Sequence, residues 1–165
     1  MIERSYIDEQ FQPSLEDFKR HLRITSSDLD EILRPYLLAS INSAEHHIGK
    51  IIARSEFLYS GHFIRSLDLR GPNIEVISVE VNGRKLADDE YTLNSRTLLI
   101  SQLIYGDEMQ VVYRSGMTQV PFDIKAAILL TAAKLFNNPS DTVEALPSVA
   151  KNLLRPYRQW GLEDE

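Results

Sequence analysis

The sequence predicts an α+β fold: a small helical domain of about four helices carrying an inserted antiparallel β module of roughly five to six strands. Three observations carry this. Apolar residues recur every three or four positions through 13–53 and again from 121 onward; between about 55 and 115 they alternate with polar residues instead; and Asn82-Gly83 stands between two short extended runs. Helices on both sides of a strand-rich block are what results when a β module enters a surface connection of a helical domain, where insertion is well tolerated. The helical domain is accordingly 13–53 plus 117–158, the module is 55–115, and 1–12 and 159–165 read as flexible termini.

The elements follow in chain order. PSLEDFKRHLR (13–23) is a short helix with Leu15, Phe18 and Leu22 on one face, and Ser14 with Asp17 three residues on forms a shortened capping box. A Thr25-Ser26-Ser27 turn leads to a longer helix capped by Ser27 or Asp28. Its face is Leu29, Ile32, Leu33, Leu37, Ile41, Ala44, Ile48 and Ile51. Pro35 should kink or restart that helix near Arg34, because it removes a backbone donor and crowds the preceding turn; Gly49 is its C-cap. Phe63, Leu67 and Leu69, then Ile77, Val79 and Val81, then Met109, Val111 and Tyr113 alternate as strands do. Asn82-Gly83 calls for a type I′ hairpin, in which both central residues take positive φ. Tyr91 to Leu93 and Thr97 to Ile100, joined by Asn94-Ser95-Arg96, make a second hairpin. PFDIKAAILLTAAKLFNNP returns to helical period with a broad apolar face, Asn138-Pro139 ends it, 140–147 is a linker, and Ser148 caps a last short helix through Leu154.

Composition excludes several function classes. The 165 residues contain no cysteine, so neither a disulfide nor a thiolate metal site exists. MIERSYIDEQ has neither the basic start nor the apolar core of a signal peptide, and no apolar run approaches the ~18 residues of a membrane span. Net charge is −6 and the acidic excess is spread: residues 1–53 carry 6 basic and 9 acidic side chains, 54–116 carry 7 and 9, and 117–165 carry 5 and 6. No segment has the cationic surplus that counterion release from nucleic acid requires.

Chemistry-bearing patterns are sparse. There is no nucleophile elbow, phosphate-binding glycine loop or zinc helix. His46 and His47 are about 100° apart on a helix and cannot share a metal, so with His21 and His62 they read as surface polar residues. Asp88-Asp89-Glu90 lacks the alternating ligands and glycine of a calcium loop. Leu-Arg-Pro-Tyr occurs at 33–36 and at 154–157 with unrelated flanks, as chance would allow. The segment 146–161, LPSVAKNLLRPYRQWG, is unusual for a chain end. Leu153 and Leu154 are positioned to anchor the last helix, while Arg155, Tyr157, Arg158 and Trp160 are types enriched at protein interfaces.

Four segments in fixed order, LEDFKRHLRI, INSAEHHIGKIIAR, VVYRSGMTQVPFDIKAAILLTAAKLFNN and LPSVAKNLLRPYR, resemble the head–tail connector (adaptor) proteins of tailed bacteriophages, in the version with a β insertion between the second and third helices. The chain departs from that pattern at Phe136-Asn137-Asn138-Pro139, where such proteins often carry Tyr-x-Asn-Arg. The resemblance implies a structural virion protein at the capsid–tail junction, assembled in the bacterial host cytoplasm, with no enzymatic activity and no cofactor. Its partners would be other copies of itself in a ring of about a dozen, the portal protein and a neck or tail-completion protein, with DNA passing through the channel without tight binding and no membrane contact. Leu153, Leu154, Arg155, Tyr157, Arg158 and Trp160 become the expected assembly interface. The competing expectation is a non-catalytic binding module whose β insertion recognises a ligand or host protein.

Overall fold

A computed structural model describes residues 1–6, 13–138 and 146–158. The chain divides into two compact units, Met1–Gln10 with Ala53–Thr118, and Phe11–Ile52 with Gln119–Glu165.

The second unit holds the helices α1 (Leu15–Leu22), α2 (Asp30–Ile48), α3 (Phe122–Asn137) and α4 (Ser148–Leu154). At α1 the capping box forms as expected: the Asp17 amide donates to Ser14 Oγ and the Ser14 amide to Asp17 Oδ2. The cap expected for α2 does not form. Asp28 and Ser26 bond to each other, and the helix starts from Leu29 without a side-chain cap. Nor does Pro35 restart the helix, which runs on unbroken from Asp30. Pro35 is its sixth residue, so the missing N–H costs one helical hydrogen bond, that to the Glu31 carbonyl, near an end where bonds are few. Gly49 closes α2 with φ 71°, and buried Glu45 accepts the Ile52 amide at 2.7 Å beyond it.

Helix packing follows the apolar stripes. Phe18, Leu33, Ile41, Ala44, Ile48, Ile124, Ala127, Ile128 and Ala132 are wholly buried, and α3 packs on α2, α1 and α4. Tyr36 meets Phe136 edge-on at 5.9 Å between centroids. Lys19 is buried with Nζ 2.9 Å from Asp30 and 3.3 Å from Glu16; the Asp30 hydrogen bond is the main cause that holds its ammonium above the ordinary lysine pKa.

Among the described residues the first unit holds eight strands in two antiparallel sheets: seven lie within 55–115, against the five or six expected, and one is at the N-terminus. One has the order β1 (Ile2–Tyr6), β2 (Ser55–His62), β8 (Glu108–Ser115), β4 (Glu75–Val81), β5 (Arg84–Lys85). The other has β3 (Ser66–Asp68), β7 (Thr97–Ile100), β6 (Tyr91–Asn94). Ile2–Tyr6 is not a flexible terminus: it pairs with Ser55–Tyr59 as an edge strand, Met1 donates its amino group to the Ser60 carbonyl, and Arg4 bonds Ser55 Oγ while lying over the Phe57 ring. Residues 7–12 of that expected terminus, and 159–165 at the other end, lie outside the described residues. Both hairpins form. Asn82 and Gly83 have φ 48° and 76°, and Asn94 pairs with Thr97 across a turn with Ser95 at φ 57°.

One alternation fails at Ile77. Tyr113 pairs with Val76 but Val112 pairs with Ser78, so Ile77 is the extra residue of a bulge; it turns out to 40% exposure while Val79 and Val81 stay buried. Centrally, Phe57 stacks on fully buried Tyr113 at 5.2 Å, a geometry worth about 0.5–1.5 kcal/mol beyond its area. The Tyr113 hydroxyl accepts the Arg70 amide.

Candidate assembly surface at the C-terminal helices

α4 leaves Pro147 in an extended conformation (ψ 150°), and Ser148 is its first helical residue rather than its cap. Ala150 and Leu154, four apart and therefore on one face, are both fully buried, and α4 packs on α3 and α2. Leu153, about 100° further round, is only half-buried. Of the two leucines expected as anchors, Leu154 is the one in the core. Pro156 has no N–H to offer the Asn152 carbonyl, and the chain tightens into a 3-10 turn, Arg155–Tyr157, closed by Arg158 N donating to the Arg155 carbonyl at 3.3 Å. The twin tetrapeptides thus end differently: Pro35 lies inside a continuing helix and Pro156 in a closing turn.

Arg155 and Arg158 are exposed and Tyr157 half-exposed beside them. The Tyr157 hydroxyl donates to Asp123 Oδ2 at 3.3 Å, which ties this turn to the first turn of α3. Burial, then the Asp123 charge, raises the Tyr157 pKa above the usual phenol value. His47, near the end of α2, is pushed below the ordinary histidine value first by burial and then by the positive charges of Arg158 and Lys151.

The structure therefore brings together Arg155, Tyr157 and Arg158 as one cationic edge, places Leu154 in the core and Leu153 between, and leaves Trp160 outside the described residues. It adds one residue the sequence reading passed over. Phe122 is 87% exposed at the start of α3, one position before the carboxylate that holds Tyr157, with Lys125 Nζ 5.9 Å from its ring centroid. The signal was available: Phe122 lies two residues, about 200° of helix, from Ile124 at the head of the buried stripe.

Among the described residues no group of three or more histidines or carboxylates could hold a metal ion, and no helix is long and apolar enough to cross a membrane. A recess of about 240 Å³ lies at the strand ends among Ser60, His62, Glu80, Asn82, Glu108 and Met109.

The model of the family described as Phage gp6-like head-tail connector protein matches residues 12–158. No curated protein matches at a meaningful level. Among solved structures, the chain is similar to one in the neck of an empty GTA particle computed with C6 symmetry, with TM-score 0.72 and 17% identity over 98% of this chain and 97% of that one. The neck of a native GTA particle computed with C12 symmetry gives the same values. A chain in the virion of the native gene transfer agent particle matches at TM-score 0.69 and 18% identity, again over 98% and 97%.

Proposed function

The chain belongs to the phage gp6-like head-tail connector family, whose members are structural proteins and not enzymes, and from that membership we propose that its copies assemble into a ring beneath the portal. The ring joins capsid to tail and helps to retain packaged DNA. The carrying observation is the family match across both helical parts and the β module, residues 12–158. The shared fold with a neck chain of a particle computed with C12 symmetry supports a ring of about a dozen copies in the virion.

The cationic edge Arg155–Arg158 is the docking element toward the portal or the next neck component. Two arginines and a tyrosine clustered beside a half-buried leucine are the kind of residues from which interface anchors are built. The reading is tested by purifying the protein alone and with its portal and imaging both by negative stain. Closed rings seated on the portal are expected; protein that stays monomeric and never binds the portal would overturn it. Reversing Arg155 and Arg158 to glutamate should leave the melting temperature within a few degrees of wild type and weaken portal binding at least about tenfold, as losing two interfacial charge contacts does. Unchanged portal affinity, measured by interferometry, would remove this edge from the contact.

A further inference from the structure

The loop Ser101–Asp107 between β7 and β8 displays two large side chains that its own unit leaves largely uncovered: Leu103 is 86% exposed and Tyr105 79%. The loop is nevertheless built. The Arg65 guanidinium donates to the carbonyls of Ser101 (2.7 Å) and Ile104 (3.2 Å), and lies 5.7 Å from the Phe63 ring centroid and 5.3 Å from that of Tyr105. The Ile104 amide bonds back to Ser101, and Asn82 Oδ1 accepts the amides of both Asp107 and Glu108. Gly106 sits against Val81 so closely that no Cβ fits. A loop held this firmly has already lost the freedom that binding would otherwise cost, and leucine and tyrosine on it form a ready anchor.

Its surroundings define the partner. Asp88, Asp89, Asp107 and Glu108 are exposed, and none is in an ion pair among the described residues; Ser101 bonds Glu90 directly, which places the Asp88–Glu90 run beside the loop. An apolar knob with an acidic rim fits an apolar or aromatic target with a cationic rim. The chain itself carries that complement: exposed Phe122 at the start of α3, with Lys125 Nζ over its ring.

We propose that the Ser101–Asp107 loop of one copy docks Leu103 and Tyr105 against the Phe122 face of a second copy. Because the two faces differ, the contact is heterologous and repeats from copy to copy until it closes. The inference rests on the ring reading above and names the contact that builds the ring.

The absence of cysteine makes a clean test. Tyr105→Cys and Phe122→Cys proteins, mixed with the portal and oxidised, should give a disulfide-linked heterodimer. One chain carrying both substitutions should give a ladder of covalent multimers that reduction collapses. Leu103→Ser with Tyr105→Ser should lower the fraction of protein in rings at least tenfold while its melting curve and circular dichroism stay those of wild type. Wild-type rings with no Tyr105→Cys to Phe122→Cys cross-link, or rings that form normally without Leu103 and Tyr105, overturn this contact and leave the ring reading standing. A wild-type protein that makes no ring on the portal overturns both.

Discussion

At the scale of single residues, Gly116, directly after β8, has no room for a side chain. Its φ is 143°, and a Cβ there would lie 2.5 Å from Arg54 Cα and 2.9 Å from the Ala53 carbonyl oxygen, both backbone atoms that cannot step aside. Gly116→Ala should therefore destabilise by at least about 2 kcal/mol, combining a strained backbone with a clash. Urea unfolding checks it, and an unchanged midpoint would mean that the strand ends relax freely. In the helical unit, Leu154 and Leu153 separate in the same experiment. Leu154→Asp places a carboxylate in a fully buried site and should leave no cooperative transition. Leu153→Asp, at a half-buried site, should keep the fold with a lowered midpoint. His47 gives the pH dependence. Its folded pKa is lowered, so the unfolded chain binds the proton more readily. Stability from this group is complete above the unfolded value, near 6.5, and is lost as pH falls through the folded value. His47→Gln should flatten that acid-side loss, and Arg158→Gln should raise the His47 pKa by NMR titration, since Arg158 is one of the charges that lowers it.

At the scale of elements, what could be read from the sequence is what local chemistry decides. The capping box at Ser14 and Asp17, the Gly49 C-cap and the Asn82-Gly83 turn each depend on residues within four positions, and each is found where the sequence places it. The misreadings have long-range causes. β1 has a single aliphatic residue, Ile2, beside Glu3 and Arg4. It becomes a strand only because β2 presents an open edge some fifty residues away. The bulge at Ile77 is imposed by the register against β8, which no pattern inside β4 contains. The candidate surface divides in the same way. The arginines of 155 and 158 were legible as interface types, whereas the partnership of Tyr157 with Asp123 depends on how α3 and the last turn meet. The exposed Leu103 and Tyr105 were missed because an apolar residue in a loop reads as core until its burial is known.

At the scale of the whole molecule, net charge sets how the proposed ring would treat DNA. Each copy carries −6, and no third of the chain has a basic surplus. In the proposed ring a dozen such copies would together be anionic, and no net release of condensed counterions would reward contact with phosphates. On that proposal, retention of packaged DNA would be a matter of closure and of what docks below the ring, while the ring itself would let DNA slide. The assembled ring on its portal should accordingly bind free duplex DNA no more tightly than about 10⁻⁴ M at physiological salt, the weak end of non-specific association. Fluorescence anisotropy with a labelled duplex across a salt series measures this. Micromolar affinity with a steep loss on adding salt would mean that the cationic edge Arg155–Arg158 faces the channel, and would transfer that edge from protein docking to DNA contact.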